Sequence, residues 1–381
     1  MNGTSHPPPL CATMTAPMVE AGTLQVPDRS QAIRAYKSSG GRIAAVLPIH
    51  YPRALLRAFD LLPVEVWGPT RVDASHGAAH LQPYVCSIAR NALSFLLSGG
   101  LEVADVLVVP HACDSLQGLG SILIDFIRPR QPVLPLYLPR GTRSSDLDFF
   151  TAELRALYAR LQDLTGLAPS DEALGACIRR EEEADALLAQ LHARRSTLGL
   201  TSMDFYRLVR SREFLPAEAF AAEARRALDL PPAAVSPGPS LLITGIVPEP
   251  GELLESLDRF GAVIVADDLA CCGRRLYPPG HAADPFQRMA ESLLGAPPDP
   301  TRGSSIAERL RHLKSLAERY GARGVVFYDV KFCEPELFDL PALRAGLQQA
   351  GLPSTSIEVD LSDPLPEQSK TRLEAFLEMI A

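Results

Sequence analysis

The stretch Val106-Leu107-Val108-Val109-Pro110-His111-Ala112-Cys113-Asp114-Ser115 decides the reading of the fold. Its apolar, β-rich run has no polar alternation, so it reads as a strand buried on both faces that stops at Pro110. Leu116–Ile127 follows with helical periodicity. A buried strand feeding directly into a helix is half of a crossover unit, and crossovers connect parallel strands. The same grammar recurs on either side. Further strands are expected at Arg42–Pro48, Val64–Trp67 and Val133–Leu138, with helices at Arg53–Leu62 and Ser87–Leu97. A second set of strands is expected at Leu241–Ile246, Val263–Ala266, Val325–Asp329 and Ser356–Val359. Its helices are expected at Gly251–Phe260, Ser304–Tyr320, Pro341–Ala350 and Pro366–Ile380.

Between the two sets the pattern is helical throughout, and the Glu181-Glu182-Glu183 run reads as a solvated helix face. A proline-rich joint, Leu230 to Pro239, then leads into the second set. The expected fold class is therefore α/β, with two parallel-sheet units of the flavodoxin- or Rossmann-like kind joined by a helical segment. The expected boundaries are a disordered tail at 1–30, a first α/β unit at 31–145, a helical bridge at 146–235 and a second α/β unit at 236–381. A length of 381 residues, with 46% hydrophobic and 22% charged residues, accommodates these units.

Composition narrows the function. A formal net charge of −8 argues against a nucleic-acid binder that relies on bulk positive charge. The longest apolar approach to a membrane span, Ala92–Pro110, is interrupted by Gly99-Gly100, Glu102 and Asp105, so no membrane crossing is expected. Met1–Asp28 is rich in Pro, Ser and Thr and has neither the basic nor the apolar region of a secretory signal. A reducing cytoplasm is the expected location, and the seven cysteines are then read as ligands, catalysts or core residues rather than disulfides. No G-x-x-x-x-G-K-[ST] or G-x-G-x-x-G run occurs, so the chain itself is not expected to bind ATP or NAD.

Three cysteines stand at comparable points. Cys113 and Cys333 each follow the end of an expected strand, where open α/β sheets place their ligand sites, and Cys86 opens an expected helix. Each precedes a helix whose N-terminal N–H groups and partial positive charge favour a thiolate. Three such thiolates are suited to one metal centre between the two α/β units. A structural zinc site is disfavoured because none of the three has a close-spaced cysteine neighbour. A cubane iron–sulfur cluster does not need close spacing. The alternative is that all three are small apolar core residues.

The residues Gly41-Arg42-Ile43-Ala44-Ala45-Val46-Leu47-Pro48-Ile49-His50-Tyr51-Pro52-Arg53 resemble the opening strand and turn of the 2-hydroxyacyl-CoA dehydratase/benzoyl-CoA reductase family. Tyr84-Val85-Cys86-Ser87, Val109 to Asp114 and Lys331-Phe332-Cys333 are similar to its cluster motifs. Ala266-Asp267-Asp268-Leu269, Gly273-Arg274-Arg275 and Thr371 to Glu378 follow in the family's order. The resemblance implies an iron–sulfur subunit with a [4Fe-4S] cluster held by Cys86, Cys113 and Cys333. It implies a related second subunit in a heterodimer, an acyl-CoA substrate and a separate ATP-dependent iron–sulfur activator. The implied chemistry is a low-potential electron passed to an acyl-CoA thioester, for radical dehydration of a 2-hydroxyacyl-CoA or reduction of a benzoyl-CoA-type ring. Within the same superfamily the alternative is a double-cubane reductase that draws on Cys271 and Cys272. From another class, the alternative is a cluster-free structural or assembly paralogue.

Several residues carry weaker expectations. Family dehydratases often place carboxylates after the Tyr-Pro turn, whereas Pro52 to Arg57 contains none, and Arg53 is expected to brace the first helix. His50, His80 and His111 are expected near strand ends or the Cys86 loop, and His111 is a candidate donor to cluster sulfur or proton carrier, although a plain loop histidine fits the same pattern. Arg128, Arg130, Arg140 and Arg143 are candidates to meet CoA phosphates, or equally to lie in solvent. Cys177 is expected to pack in a core and Cys11 to belong to the tail.

Overall fold

The computed structural model describes residues 26–69, 72–234 and 237–381. The tail cysteine Cys11 and the start of the expected tail lie outside them. Two four-stranded sheets are present. The first contains β1 (Arg42–Val46), β2 (Leu61–Glu65), β3 (Val106–Pro110) and β4 (Val133–Leu136). The second contains β5 (Ser240–Gly245), β6 (Val263–Leu269), β7 (Gly324–Val330) and β8 (Ser354–Val359). Their orders are β2-β1-β3-β4 and β6-β5-β7-β8, and every neighbouring pair is parallel. The expected α/β class with two parallel-sheet units is what the chain adopts.

The shared order has a consequence for function. The chain winds one way from β1 to β2 and the other way to β3, so a crevice opens at the strand ends beside β1 and β3. The second unit repeats this beside β5 and β7. Four helices, Ser144–Thr165, Asp171–Ala193, Ser202–Arg210 and Ala217–Leu228, form the intervening segment. One hydrophobic core runs through all three parts, joining Ile43 and Leu107 to Leu188 and Phe220 and on to Leu241 and Val326. The two units therefore share their core.

Some expectations need correction. The helix expected at Arg53–Leu62 stops at Ala58, and Leu61 already belongs to β2. Asp60 takes a left-handed conformation, with φ 56°, that ends the helix. Pro63 has no N–H and suits an edge strand better than a helix interior, and β2 is an edge. Arg29 and Ser30, read as tail, lie in the helix Arg29–Ser38, where Asp28 and Gln31 form a reciprocal cap of 2.7 and 3.0 Å. Of the glutamate run only Glu183 keeps the expected solvated position. Glu181 is buried against Arg212, Glu182 pairs with Arg288 at 2.6 Å, and Glu183 pairs with Arg225.

Buried charges tie the parts together. Glu65, at the end of β2, accepts from Tyr51 Oη at 2.7 Å, Arg53 at 2.8 Å and Trp67 Nε1 at 2.8 Å. Both terminal nitrogens of Arg275, from the second unit, also donate to its carboxylate. Arg53 thus braces the strand end as well as its helix. Burial pushes the Glu65 carboxyl up to about 7 against the pull of Arg53. Asp267, at the end of β6, receives Arg195 at 3.1 Å and Tyr206 at 3.3 Å from the helical segment. Gly273 lies so close to Asp267 that a Cβ there would meet its carbonyl oxygen at 2.0 Å.

Removing one partner of such a pair leaves a bare charge in the interior, at a cost of about 3–5 kcal/mol. Arg275→Ala is therefore expected to lower the chemical-denaturation midpoint strongly, and Glu65→Gln combined with it to recover part of the loss. Lys370→Ala, which breaks an exposed pair with Glu367, is expected to cost no more than about 0.5 kcal/mol. Equal midpoints for Arg275→Ala and Lys370→Ala would show that the Glu65 tie does not hold the units.

Candidate functional site

Cys86, Cys113 and Cys333 each occupy the position just before a helix: Ser87–Leu97, Asp114–Ile122 and Glu334–Gln349. Cys113 follows β3 and Cys333 follows β7, the corresponding strands of the two sheets. At the second of these turns Phe332 is left-handed, with φ 63°, and His50 and Ile49 are left-handed after β1, with φ 55° and 69°. Such strained residues at the strand ends are held there by the surrounding packing.

What brings Cys86 to the second unit is a set of bonds along its helix. Leu361 N–H donates to Ser87 Oγ at 3.1 Å, and Ser362 Oγ donates to Asn91 Oδ1 at 3.0 Å. Arg90, one turn into the helix, pairs with Asp360. These partners lie just beyond β8, the edge strand paired with β7, which leads to Cys333.

The three thiols feel one another. Burial pushes the Cys113 thiol up to about 12, and the nearby Cys86 adds to the rise. Burial likewise raises Cys333 well above the ordinary thiol range, with Cys86, Glu336 and Cys113 contributing. Burial also raises Cys86, while the N–H groups of Ala89 and Ile88 and the Ser115 hydroxyl oppose the shift. The N–H groups of Leu116 and Ser115 act in the same sense on Cys113, and that of Glu336 on Cys333. Each sulfur therefore lies near the N–H groups of a helix start without a capping hydrogen bond, and Ser115, on the Cys113 helix, lies near Cys86.

Among the described residues, no three His, Cys, Asp or Glu side chains are drawn together as ligands of a single metal ion are. A cubane cluster makes a different demand, because each thiolate binds its own iron and the sulfurs need not crowd round one centre. One buried and two half-buried thiols that sense one another at helix starts suit such a group in chemistry. Cys271 and Cys272 are also buried, their sulfurs 3.4 Å apart. Around Cys272 the charged neighbours are Cys271, Asp267 and Arg210. Cys177 packs with Leu174 and Ile178 in the second core cluster, as expected.

The remaining candidates are dispersed. His50 is buried, 3.2 Å from Thr301 Oγ1 and 3.9 Å from Asp299. His80 is exposed. His111 packs edge-on against Tyr137, ring centroids 4.7 Å apart, and neither ring nitrogen has a hydrogen-bond partner. Arg128 and Arg130 are exposed, while Arg140 pairs with Asp114 at 3.4 Å and Arg143 with Asp146 at 2.9 Å.

Sequence reasoning missed two carboxylates near the Cys333 turn. Asp329 ends β7 and its carboxyl is pushed up to about 7 by burial, reinforced by Glu336 and opposed by Arg274 and Arg309. Glu336 is gripped by Arg274 and by Arg309, the latter at 2.6 Å. Arg274 also reaches Asp268 at 3.1 Å and Asp299 at 3.6 Å. The signal was present in the strand end Tyr328-Asp329-Val330, where a carboxylate interrupts a fully buried run.

No helix among the described residues is long and apolar enough to cross a membrane. The family model described as 2-hydroxyglutaryl-CoA dehydratase, D-component, matches residues 48–380. The chain is 24% identical to the (R)-phenyllactyl-CoA dehydratase beta subunit of Clostridium sporogenes, over 90% of this chain and 93% of that one. It is 27% identical to the lactoyl-CoA dehydratase subunit beta of Anaerotignum propionicum, over 91% and 94%. It is also 27% identical to a subunit of the benzoyl-CoA reductase of Thauera aromatica, over 87% and 89%. With a match of that extent, the chain belongs to the 2-hydroxyacyl-CoA dehydratase/benzoyl-CoA reductase family and is an enzyme subunit of that kind.

Proposed function

We propose that the chain is the iron–sulfur subunit of a radical 2-hydroxyacyl-CoA dehydratase or a benzoyl-CoA-type reductase, relaying a low-potential electron to an acyl-CoA thioester. The observation that carries this reading is the mutual influence of three thiols at helix starts, two of which, Cys113 and Cys333, follow corresponding strands of the two sheets. Cys86, Cys113 and Cys333 would hold a [4Fe-4S] cluster, which when bound supplies one-electron chemistry and one iron without a protein thiolate.

The chain's own residues do the rest. Cys86 is buried and the other two sulfurs half-buried, and the helix-start N–H groups, with the Ser115 hydroxyl at Cys86, lower the cost of negative charge on them. Arg274 and Arg309 hold Glu336 in place one turn into the Cys333 helix. A carboxyl poised near neutrality at Asp329 suits proton traffic beside the cluster. ATP hydrolysis is assigned to a separate iron–sulfur activator, in keeping with the absence of a phosphate-binding glycine motif from the sequence. Two relatives are named as beta subunits, which supports a heterodimer with a related chain. Oxygen-sensitive chemistry of this kind belongs in the reducing cytoplasm.

After anaerobic purification the chain is expected to carry about four irons with matching acid-labile sulfide. Cys86→Ala, Cys113→Ala and Cys333→Ala are each expected to lose or break the cluster, while Cys177→Ala keeps it. A Cys333→Ala protein with full iron and an unchanged electron paramagnetic resonance signal would overturn the ligand assignment. About eight irons per chain would favour a double-cubane reductase, and none a cluster-free paralogue.

Turnover is expected only in company. With activator, ATP and reductant, acyl-CoA dehydration or reduction should depend on adding the related second subunit. Full activity of the chain alone, without activator or ATP, would sink the proposed division of labour.

A further inference from the structure

We propose that the first α/β unit holds a separate ligand site for a monoanionic small molecule with an aromatic or branched aliphatic body. A cavity of about 550 Å³ lies against the first sheet. That volume falls within the range of small-molecule sites, about 300–1,000 Å³. The space is a cleft open to solvent on one side, where the exposed Arg34 and Val103 stand at its rim. Here Ile43 and Ala45 sit two apart on β1 and face the same side, and Ala45 leaves the room that a larger residue would take. Val64, Val66 and Phe95 complete an apolar lining. Phe95 is fixed by lying over Gly100, where a Cβ would meet its ring at 2.1 Å.

Charge selects the other half of the ligand. Arg29, Arg34 and Arg210 line the cavity. Arg29 and Arg210 share Glu213, at 2.6 and 2.7 Å, and Arg210 also pairs with Glu249. Two cations thus face two carboxylates. Glu65, also in the lining, is already matched by Arg53 and Arg275. Arg34 is exposed and forms no ion pair among the described residues, which leaves one positive charge to complement one negative charge on a ligand.

The site is distinct from the cysteine group. Gly68, in the cavity wall, rests against the backbone of Ile88, where a Cβ would come within 2.7 Å of the carbonyl oxygen. The first turn of the Cys86 helix therefore lies behind that wall. The protein's one tryptophan, Trp67, is also in the lining. Its indole N–H is committed to Glu65 at 2.8 Å, so a ligand meets the ring, and tryptophan emission reports on this cavity.

The test is a titration of the purified full chain with 3-phenylpropanoate, followed by tryptophan fluorescence, with the neutral 3-phenylpropanamide as control. A saturable change is expected, with the acid bound more tightly than the amide. Arg34→Glu, at an exposed position, is expected to weaken the acid by about two- to fivefold and to leave the amide unchanged. Ala45→Phe, checked for folding by circular dichroism, is expected to lose binding of both while iron content stays as in the parent. The absence of a saturable change would overturn the proposal. So would equal binding of acid and amide unaffected by Arg34→Glu, or unaltered binding in a folded Ala45→Phe protein.

Discussion

The buried pairing of Glu65 with Arg275 is the constraint on which the arrangement of the two α/β units rests. A carboxylate at the end of β2 has no water to solvate it, and its guanidinium partner comes from the chain just beyond β6. Neither charge is tolerable alone in the interior, so the two units must meet in one orientation. The same loop makes two further ties. Asp267 engages the helical segment through Arg195 and Tyr206, and Arg274 engages Glu336 on the Cys333 helix. Asp267, Arg274 and Arg275 thus point to three different parts of the molecule. Their value to the fold is geometric more than energetic, because buried ion pairs recover little net stability after desolvation.

This rigidity has a direct bearing on the cysteines. Cys113 and Cys333 belong to different units, and Cys86 rides on a helix docked against the chain beyond β8. A rotation of one unit against the other would part the thiols. The ties at Glu65, Asp267 and Arg90 oppose that rotation, while the continuous apolar core makes it costly. All three cysteines stand at helix starts, where free N–H groups and partial positive charge favour a negative sulfur. Burial, with the neighbouring sulfurs adding to it, raises the Cys113 and Cys333 thiols and favours their protonated form.

Much of this was legible in the sequence. Val106–Pro110 and Gly324–Val330 are apolar over nearly their whole length, and parallel strands covered on both faces require that pattern. The three cysteines stood out because each fell at an expected helix start, Cys113 and Cys333 just past a strand, a position readable from local periodicity. The helix start at Arg29 was also encoded, in Asp28 and Gln31, but a short amphipathic helix beside a proline-rich stretch gives a weak periodic signal. Glu181 was misread because an acidic run looks the same in solvent as in a matched ion pair. Only Arg212, 31 residues away, distinguishes the two.

Local order along the chain determined the strands, their crossovers and the helix-start positions of Cys86, Cys113 and Cys333, because these follow from periodicity, turn chemistry and short-range sterics. Family membership was likewise carried by motifs in sequence order. Tertiary structure alone decided which distant charges are partners, how the thiols come to sense one another, and that small side chains along β1 leave a cavity under three arginines. Those outcomes depend on contacts between residues far apart in the chain. Such contacts form only when the desolvation of every buried charge and the packing of a shared core are satisfied at once.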